Sequence, residues 1–268
     1  MTDRSACGFV LKISEHGETD KLVTLYTREL GRITGIAKGA CKSKKRFVNK
    51  LEEWSLLRLH HRPPRPGSTL SFIREAELLA AHLPLRQDYR RYAAAMHVSE
   101  LILRFTREHD PDPELFALLL WAIPALAATT SPLRILTFAL LRLLVVCGYQ
   151  PILDRCGLCN TPVQPGQIYC LFPESGSLHC GDCRPFSGNP GLSVQTLRLL
   201  TGAQTLPLER LNRLHSSRST YIEALDALHL YALHLLQQDL RSWKLVRSLL
   251  NTASSSVAPS RTSPDPGR

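Results

Sequence analysis

Apolar and polar residues alternate over five short stretches in the first eighty positions: 7–13, 21–27, 31–38, 53–59 and 68–78. Alternation with a period of two marks strands that bury one face. Turn residues separate the stretches: a charged turn at 15–20, the tetrapeptide Arg28-Glu29-Leu30-Gly31, and His60-His61-Arg62-Pro63-Pro64-Arg65-Pro66-Gly67. The last of these reads as a loop, since proline cannot donate to a strand ladder. Five strands in so short a span predict a small closed or partly closed barrel. An OB-fold has this strand count, and an SH3-like barrel is the alternative.

From about residue 83 the apolar period lengthens to that of a helix. Residues 89–107, 114–127 and 133–147 form three helical stretches, parted by Asp110-Pro111-Asp112-Pro113 and by Thr129-Thr130-Ser131-Pro132. Ser131 is placed to cap the third, with Pro132 at its first turn and Gly148 at its end. Residues 193–202 and 206–214 continue in helical period. Residues 220–250 form one long amphipathic run with Ser219 as its expected cap. Residues 252–268 are rich in Ser, Pro and Thr and nearly free of apolar side chains, which predicts a disordered tail. The fold class expected is therefore α+β in several domains: a barrel over 1–80, a helical domain over 81–251 and the tail. The most apolar region, 116–149, is interrupted by Pro124, Pro132, Arg134 and Arg142, so it reads as buried helices and not as a membrane span.

Charge adds a direction. The 268-residue chain carries a net +10, a balance that favours an anionic partner over a neutral one. The excess is concentrated where the third strand ends. Lys38, Lys42, Lys44, Lys45, Arg46 and Lys50 follow one another with no acidic residue between Gly31 and Leu51. Arg28 and Arg32 extend this patch if their strands face it. Phe47 lies among the cations, where it can stack on a base or anchor the loop locally.

Cysteine spacing supplies the most specific chemistry. Cys156-Gly-Leu-Cys159 and Cys180-Gly-Asp-Cys183 stand twenty residues apart. Two such knuckles complete a tetrahedral four-thiolate site, which zinc favours. The intervening 168–172, a turn at 173–176 and 177–180 read as a hairpin bringing the second knuckle to the first, within a module spanning 154–186. His179 is an alternative ligand to Cys180, and Cys170 could face the site. A closed site of four thiolates leaves no position for water, so the zinc is expected to be structural, one per chain. With four further cysteines scattered and no secretory signal at the N-terminus, the expected setting is the reducing cytoplasm.

No phosphate-binding glycine loop, dinucleotide fingerprint or H-E-x-x-H pattern occurs, and no catalytic residue is expected. An enzymatic alternative would have Glu15, Glu18 and Asp20 hold Mg²⁺ as in a nuclease. A zinc-ribbon RNA-binding or transcription-associated module is the alternative among binding proteins.

The sequence GFVLKISEHGETDKLVTLYTRELGRITGIAKGACKSKKR, from Gly8 to Arg46, resembles the opening of the RecO family of bacterial DNA repair and recombination proteins. It has the G-E-x-D turn, the T-R-E-x-G turn and the Ala-Lys-Gly-Ala entry to a basic loop. Ala76-Glu77-Leu78 and a Cys₄ module inside a helical domain fit as well. The resemblance implies an N-terminal OB domain, a helical domain and a zinc module. It further implies a non-enzymatic recombination mediator associated with the bacterial nucleoid. Such a protein binds single- and double-stranded DNA, anneals complementary strands and contacts the tail of the single-stranded DNA-binding protein SSB. With RecR, and in some settings RecF, it helps load RecA. The SSB tail is short, acidic and apolar, and a groove rimmed by Arg134, Arg142, Arg241 or Arg247 would suit it.

Overall fold

The computed structural model describes residues 4–64, 67–185 and 188–251. Its N-terminal part is a barrel of β1 (Arg4–His16), β2 (Asp20–Thr27), β3 (Gly31–Ala37), β4 (Leu56–Arg62) and β5 (Ser71–Ala80). The strands close in the order β1-β2-β3-β5-β4, with β3 and β5 parallel and the other pairs antiparallel. This five-stranded closed barrel is the expected OB-fold. Alternation sorts its residues as the pattern requires: Val10, Val23, Leu25, Ile33, Leu57, Leu59 and Ile73 fill the interior.

The fourth strand departs from expectation at both ends: it begins at Leu56, not at Glu53. His60, His61 and Arg62 belong to β4 and not to the following loop. His61 takes an inward position and is 2% exposed. Burial holds its imidazole below the ordinary value. Pairing to β1 on one side and β5 on the other carries the strand up to the prolines.

The helical half runs through α1 (Pro84–Gln87), α2 (Tyr89–Phe105), α3 (Pro113–Ala128) and α4 (Pro132–Val146). It continues, after the cysteine module, with α5 (Val194–Thr205), α6 (Leu208–Leu211), α7 (Arg218–Leu236) and α8 (Trp243–Asn251). Asp112 caps α3, its carboxylate accepting from the N–H of Glu114 at 2.8 Å and of Leu115 at 3.1 Å. At α4, Pro132 occupies the first turn as expected, but the Ser131 side chain makes no capping bond. The run expected as one helix over 220–250 is two. Ser217, not Ser219, caps α7, and Gln237 ends it in the left-handed conformation at φ 50°. The 206–214 stretch is helical only over α6. The expected tail lies outside the described residues.

The two halves share one core. Phe9 and Leu11 of β1, Tyr26 of β2 and Trp54 belong to the same buried cluster as the helices. Trp54 donates its Nε1–H to Ser99 Oγ at 3.0 Å and meets Tyr92 edge-on. The Tyr26 hydroxyl accepts from the Asp112 N–H at 3.0 Å, and burial pushes its pKa up to about 12. Gly31 has φ 65°, and a Cβ there would lie 2.2 Å from the Asp110 carbonyl oxygen, so only glycine lets the β2–β3 turn meet the α2–α3 connection.

Candidate nucleic-acid interface and metal centre

The basic loop forms one end of the barrel. It leaves β3 at Ala37 and folds back so that Ala40, Phe47 and Leu51 enter the barrel core. Backbone bonds shape it: the Cys41 N–H donates to the Thr19 carbonyl at 2.9 Å, and the Lys50 N–H to the Phe47 carbonyl at 3.2 Å. The Asp20 carboxylate accepts from the Gly39 N–H at 2.8 Å. That bond, with a second from Thr19, holds its pKa below the ordinary carboxylate value.

With its apolar residues turned inward, the loop turns Lys38, Lys42, Lys44, Lys45 and Arg46 to solvent. Two of the cations also brace it. Arg46 donates to the Lys38 carbonyl at 3.2 Å and lies 5.2 Å over the Phe47 ring. Half-buried Lys50 donates to the carbonyls of Lys45 and Arg46, both at 3.2 Å. Lys38, Lys42, Lys44 and Lys45 are tied by no side-chain bond among the described residues.

Three sequence-predicted residues sit elsewhere. Phe47 is 3% exposed, so its ring fills the barrel end and presents no face to a base. Arg32 donates to the Leu103 carbonyl at the end of α2, and Arg28 lies over the Phe116 ring of α3 at 5.1 Å. Both arginines therefore belong to the seam with the helices, not to the loop. Sequence reasoning missed Val48, which is 42% exposed beside the cations. Of Glu15, Glu18 and Asp20, none joins a set of converging donors among the described residues.

The cysteine module is a four-stranded sheet in the order β6-β8-β7-β9, made of β6 (Ile152–Cys156), β7 (Ile168–Phe172), β8 (Ser177–Cys180) and β9 (Gly191–Ser193). The hairpin of β7 and β8 carries the second knuckle to the first as expected. The sulfurs of Cys156, Cys159, Cys180 and Cys183 lie within 4.8 Å of one another and could hold a metal ion. Cys159 and Cys180 are 3.9 Å apart, against about 3.8 Å between sulfurs placed tetrahedrally around zinc.

The local chemistry suits a soft dication. Cys156 is lowered in pKa although burial opposes this, because the N–H groups of Cys159, Cys180 and Leu158 point at its sulfur. Thr161, through its hydroxyl and then its backbone, draws Cys159 down to about 6, while Cys180 and Cys159 push Cys183 up to about 12. Four thiols so close cannot all ionise without a cation among them. Gly157 is required here, since a Cβ would lie 2.3 Å from Ser177 Oγ. His179 is not part of the set; its ring stacks on Phe172 at 4.2 Å. Cys170 faces away, 3.4 Å from the Pro190 carbonyl, and burial raises it to about 11.

These donors predict one metal ion per chain in protein purified without added metal, measured by plasma mass spectrometry. Cys180→Ser should lower that content well below one.

A second surface lies on the helical half. A groove of about 1210 Å³ runs between α7, α8 and residues 188–190. Leu230, Leu233 and Trp243 give it an apolar lining, and Arg104, Arg241, Lys244 and Arg247 outnumber the acids Asp226 and Asp239. The side chains of Arg241, Lys244 and Arg247 make no hydrogen bond or ion pair among the described residues. Glu100 of α2 fixes this edge, its carboxylate accepting from the N–H of Arg241 at 3.0 Å and of Ser242 at 2.7 Å. Behind it, His229 stacks on Trp243 at 3.6 Å, and burial lowers His229 to about 4. Arg134 and Arg142 line no such rim: they donate to the Asn212 carbonyl and to the carbonyls ending α5.

Among the described residues no helix is long and apolar enough to cross a membrane. Comparison with known proteins gives a consistent picture. The family model described as "Recombination protein O N terminal" matches residues 1–82, and "Recombination protein O C terminal" matches residues 86–244. The chain is 34% identical over 245 residues to the DNA repair protein RecO of Syntrophobacter fumaroxidans, covering 91% of this chain and 96% of that one. Against the DNA repair protein RecO of Syntrophus aciditrophicus it is 33% identical over 242 residues, 89% and 93% of the two chains. For the protein of that name from Myxococcus xanthus, the figures are 38% over 175 residues, 65% and 70%.

Proposed function

The chain belongs to the RecO family of DNA repair proteins, and from that premise we propose that it is a recombination mediator that captures DNA on its basic barrel end. The observation that carries this is the locked loop: Phe47 and Leu51 seat it in the barrel, and Lys38, Lys42, Lys44, Lys45 and Arg46 face solvent without an acidic neighbour in the segment. Cations on a fixed platform neutralise phosphates and read little sequence, which suits a protein acting on any broken DNA. The barrel, residues 1–80, would hold single- or double-stranded DNA and let complementary strands anneal. The helical domain, residues 81–251, would meet protein partners. Its groove has the apolar lining and cationic rim for a short acidic, apolar peptide such as the SSB tail. Working in the bacterial cytoplasm with RecR, and in some settings RecF, the protein would help RecA onto SSB-coated DNA. The four cysteines would hold structural zinc. Reaction chemistry is not needed for any of these steps.

Fluorescence anisotropy with a single-stranded oligonucleotide over a salt series tests the capture step. Engagement of four to six phosphates gives a log–log slope of roughly −3 to −4 on a single strand. A slope near zero removes the loop as a phosphate-binding surface. Complementary strands incubated with the protein, with and without Mg²⁺, should anneal at full length; shortened strands would indicate a nuclease instead.

A further inference from the structure

The metal module and the groove share a piece of chain. Asn189 and Pro190 form one wall of the groove, and the next residue begins β9, the edge strand of the cysteine sheet. The register then leads straight to the metal ligands. Leu192 pairs with Tyr169 of β7, and Tyr169 pairs with Cys180 of β8. One row of that sheet thus joins the wall strand to a sulfur of the metal set. The wall is also hooked from within. The Cys170 thiol lies 3.7 Å from the Asn189 carbonyl and 3.4 Å from that of Pro190, and donates to them.

The opposite wall is helical and has its own supports. Glu100 caps the approach to α8 from α2, and the ring stack of His229 on Trp243 joins α7 to α8. None of these contacts involves the cysteines. The groove therefore has one wall built by helix packing and one built at the edge of the small sheet, where Ser193 donates to Glu223 of α7 and Leu192 enters the helical core. That sheet has only short strands, and β9 has three residues. Leu153, Tyr169, Leu171, Leu178 and Leu192 seat the sheet on the helical core, and a metal bound by four thiolates adds folding energy at its knuckle end.

We propose that the metal centre sets the groove: with the ion bound, residues 188–193 stand as a wall and an acidic peptide docks, and without it the wall loosens and docking is lost. This rests on the reading of the groove as the SSB-tail site. It gives the four cysteines a task in partner choice, at a distance from the barrel and its DNA.

The test uses the full chain. A fluorescein-labelled SSB tail peptide is titrated into metal-loaded protein, into protein stripped with a chelator, and into stripped protein given back Zn²⁺. The expected result is a peptide affinity lower by about tenfold or more after stripping, restored by zinc. Oligonucleotide binding should be unchanged throughout. Hydrogen exchange provides a readout without peptide: residues 188–193 should lose protection on stripping, while the barrel strands keep theirs. Cys170→Ala separates the wall from metal loss. It should retain its metal, yet show faster exchange at 188–193 and weaker peptide binding. Unchanged peptide affinity in the stripped protein, or unchanged exchange at 188–193, overturns the coupling and leaves the groove reading standing. Absence of peptide binding by the metal-loaded chain overturns both.

Discussion

Changing Lys42, Lys44 and Lys45 together to Glu will weaken binding to single-stranded DNA by about 100-fold at moderate salt and flatten the salt slope by roughly 2 to 3 units. The three lysines are exposed and none is tied by a bond within the loop. Their replacement therefore removes phosphate contacts without touching the plug of Ala40, Phe47 and Leu51. Arg46 is left in place for a structural reason. Its guanidinium holds the Lys38 carbonyl and covers the Phe47 ring, so reversing it would unsettle the loop as well as remove charge. Thermal unfolding should match that of the unaltered chain, and an affinity and slope that also match would take the patch out of the DNA interface.

Phe47→Ala should lower stability and binding together. Truncating a buried phenylalanine removes its transfer energy and leaves a cavity, costing about 3–5 kcal/mol of stability. Because the ring closes the barrel end, the loop carrying the cations should lose its seat, and DNA binding should fall with it. A ring stacked on a base would behave differently: stability would be unaffected, and binding alone would weaken by about 1–3 kcal/mol. Urea unfolding and anisotropy on the same variant distinguish the two. An unchanged unfolding midpoint would show that the plug assignment is wrong.

Much of this architecture is legible in the order of residues alone. Strand alternation survives in the sequence because one face of each barrel strand is wet. Cysteine spacing survives because a knuckle needs its two thiols three positions apart. Legibility fails where a residue's partner is remote in sequence. Arg32 and Arg28 look like two more cations of a basic segment, but the carbonyl of Leu103 and the ring of Phe116 claim them. Nothing within several positions of either arginine announces those partners. His60-His61-Arg62 has polar composition and prolines after it, so local rules favour a loop; pairing on both sides overrides them. The break between α7 and α8 falls at Gln237, which carries no glycine or proline signal, and the capping carboxylate for the approach to α8 comes from Glu100 in a different helix. Phe47 shows the same limit at a single residue. An aromatic among lysines is consistent with a stacking platform and with a plug, and only the barrel interior decides between them.

The shared core has a mechanical consequence. Phe9, Leu11, Tyr26 and Trp54 are packed into the helices, and Gly31 abuts the Asp110 backbone with no room for a methyl group. Such a seam has no slack for a hinge. The lysine loop and the α7–α8 groove are therefore held at a constant bearing, like two brackets on one strut. Cargo gripped at one end and a handler gripping the other would move together, and the spacing between them would be set by the chain itself, not by a flexible tether.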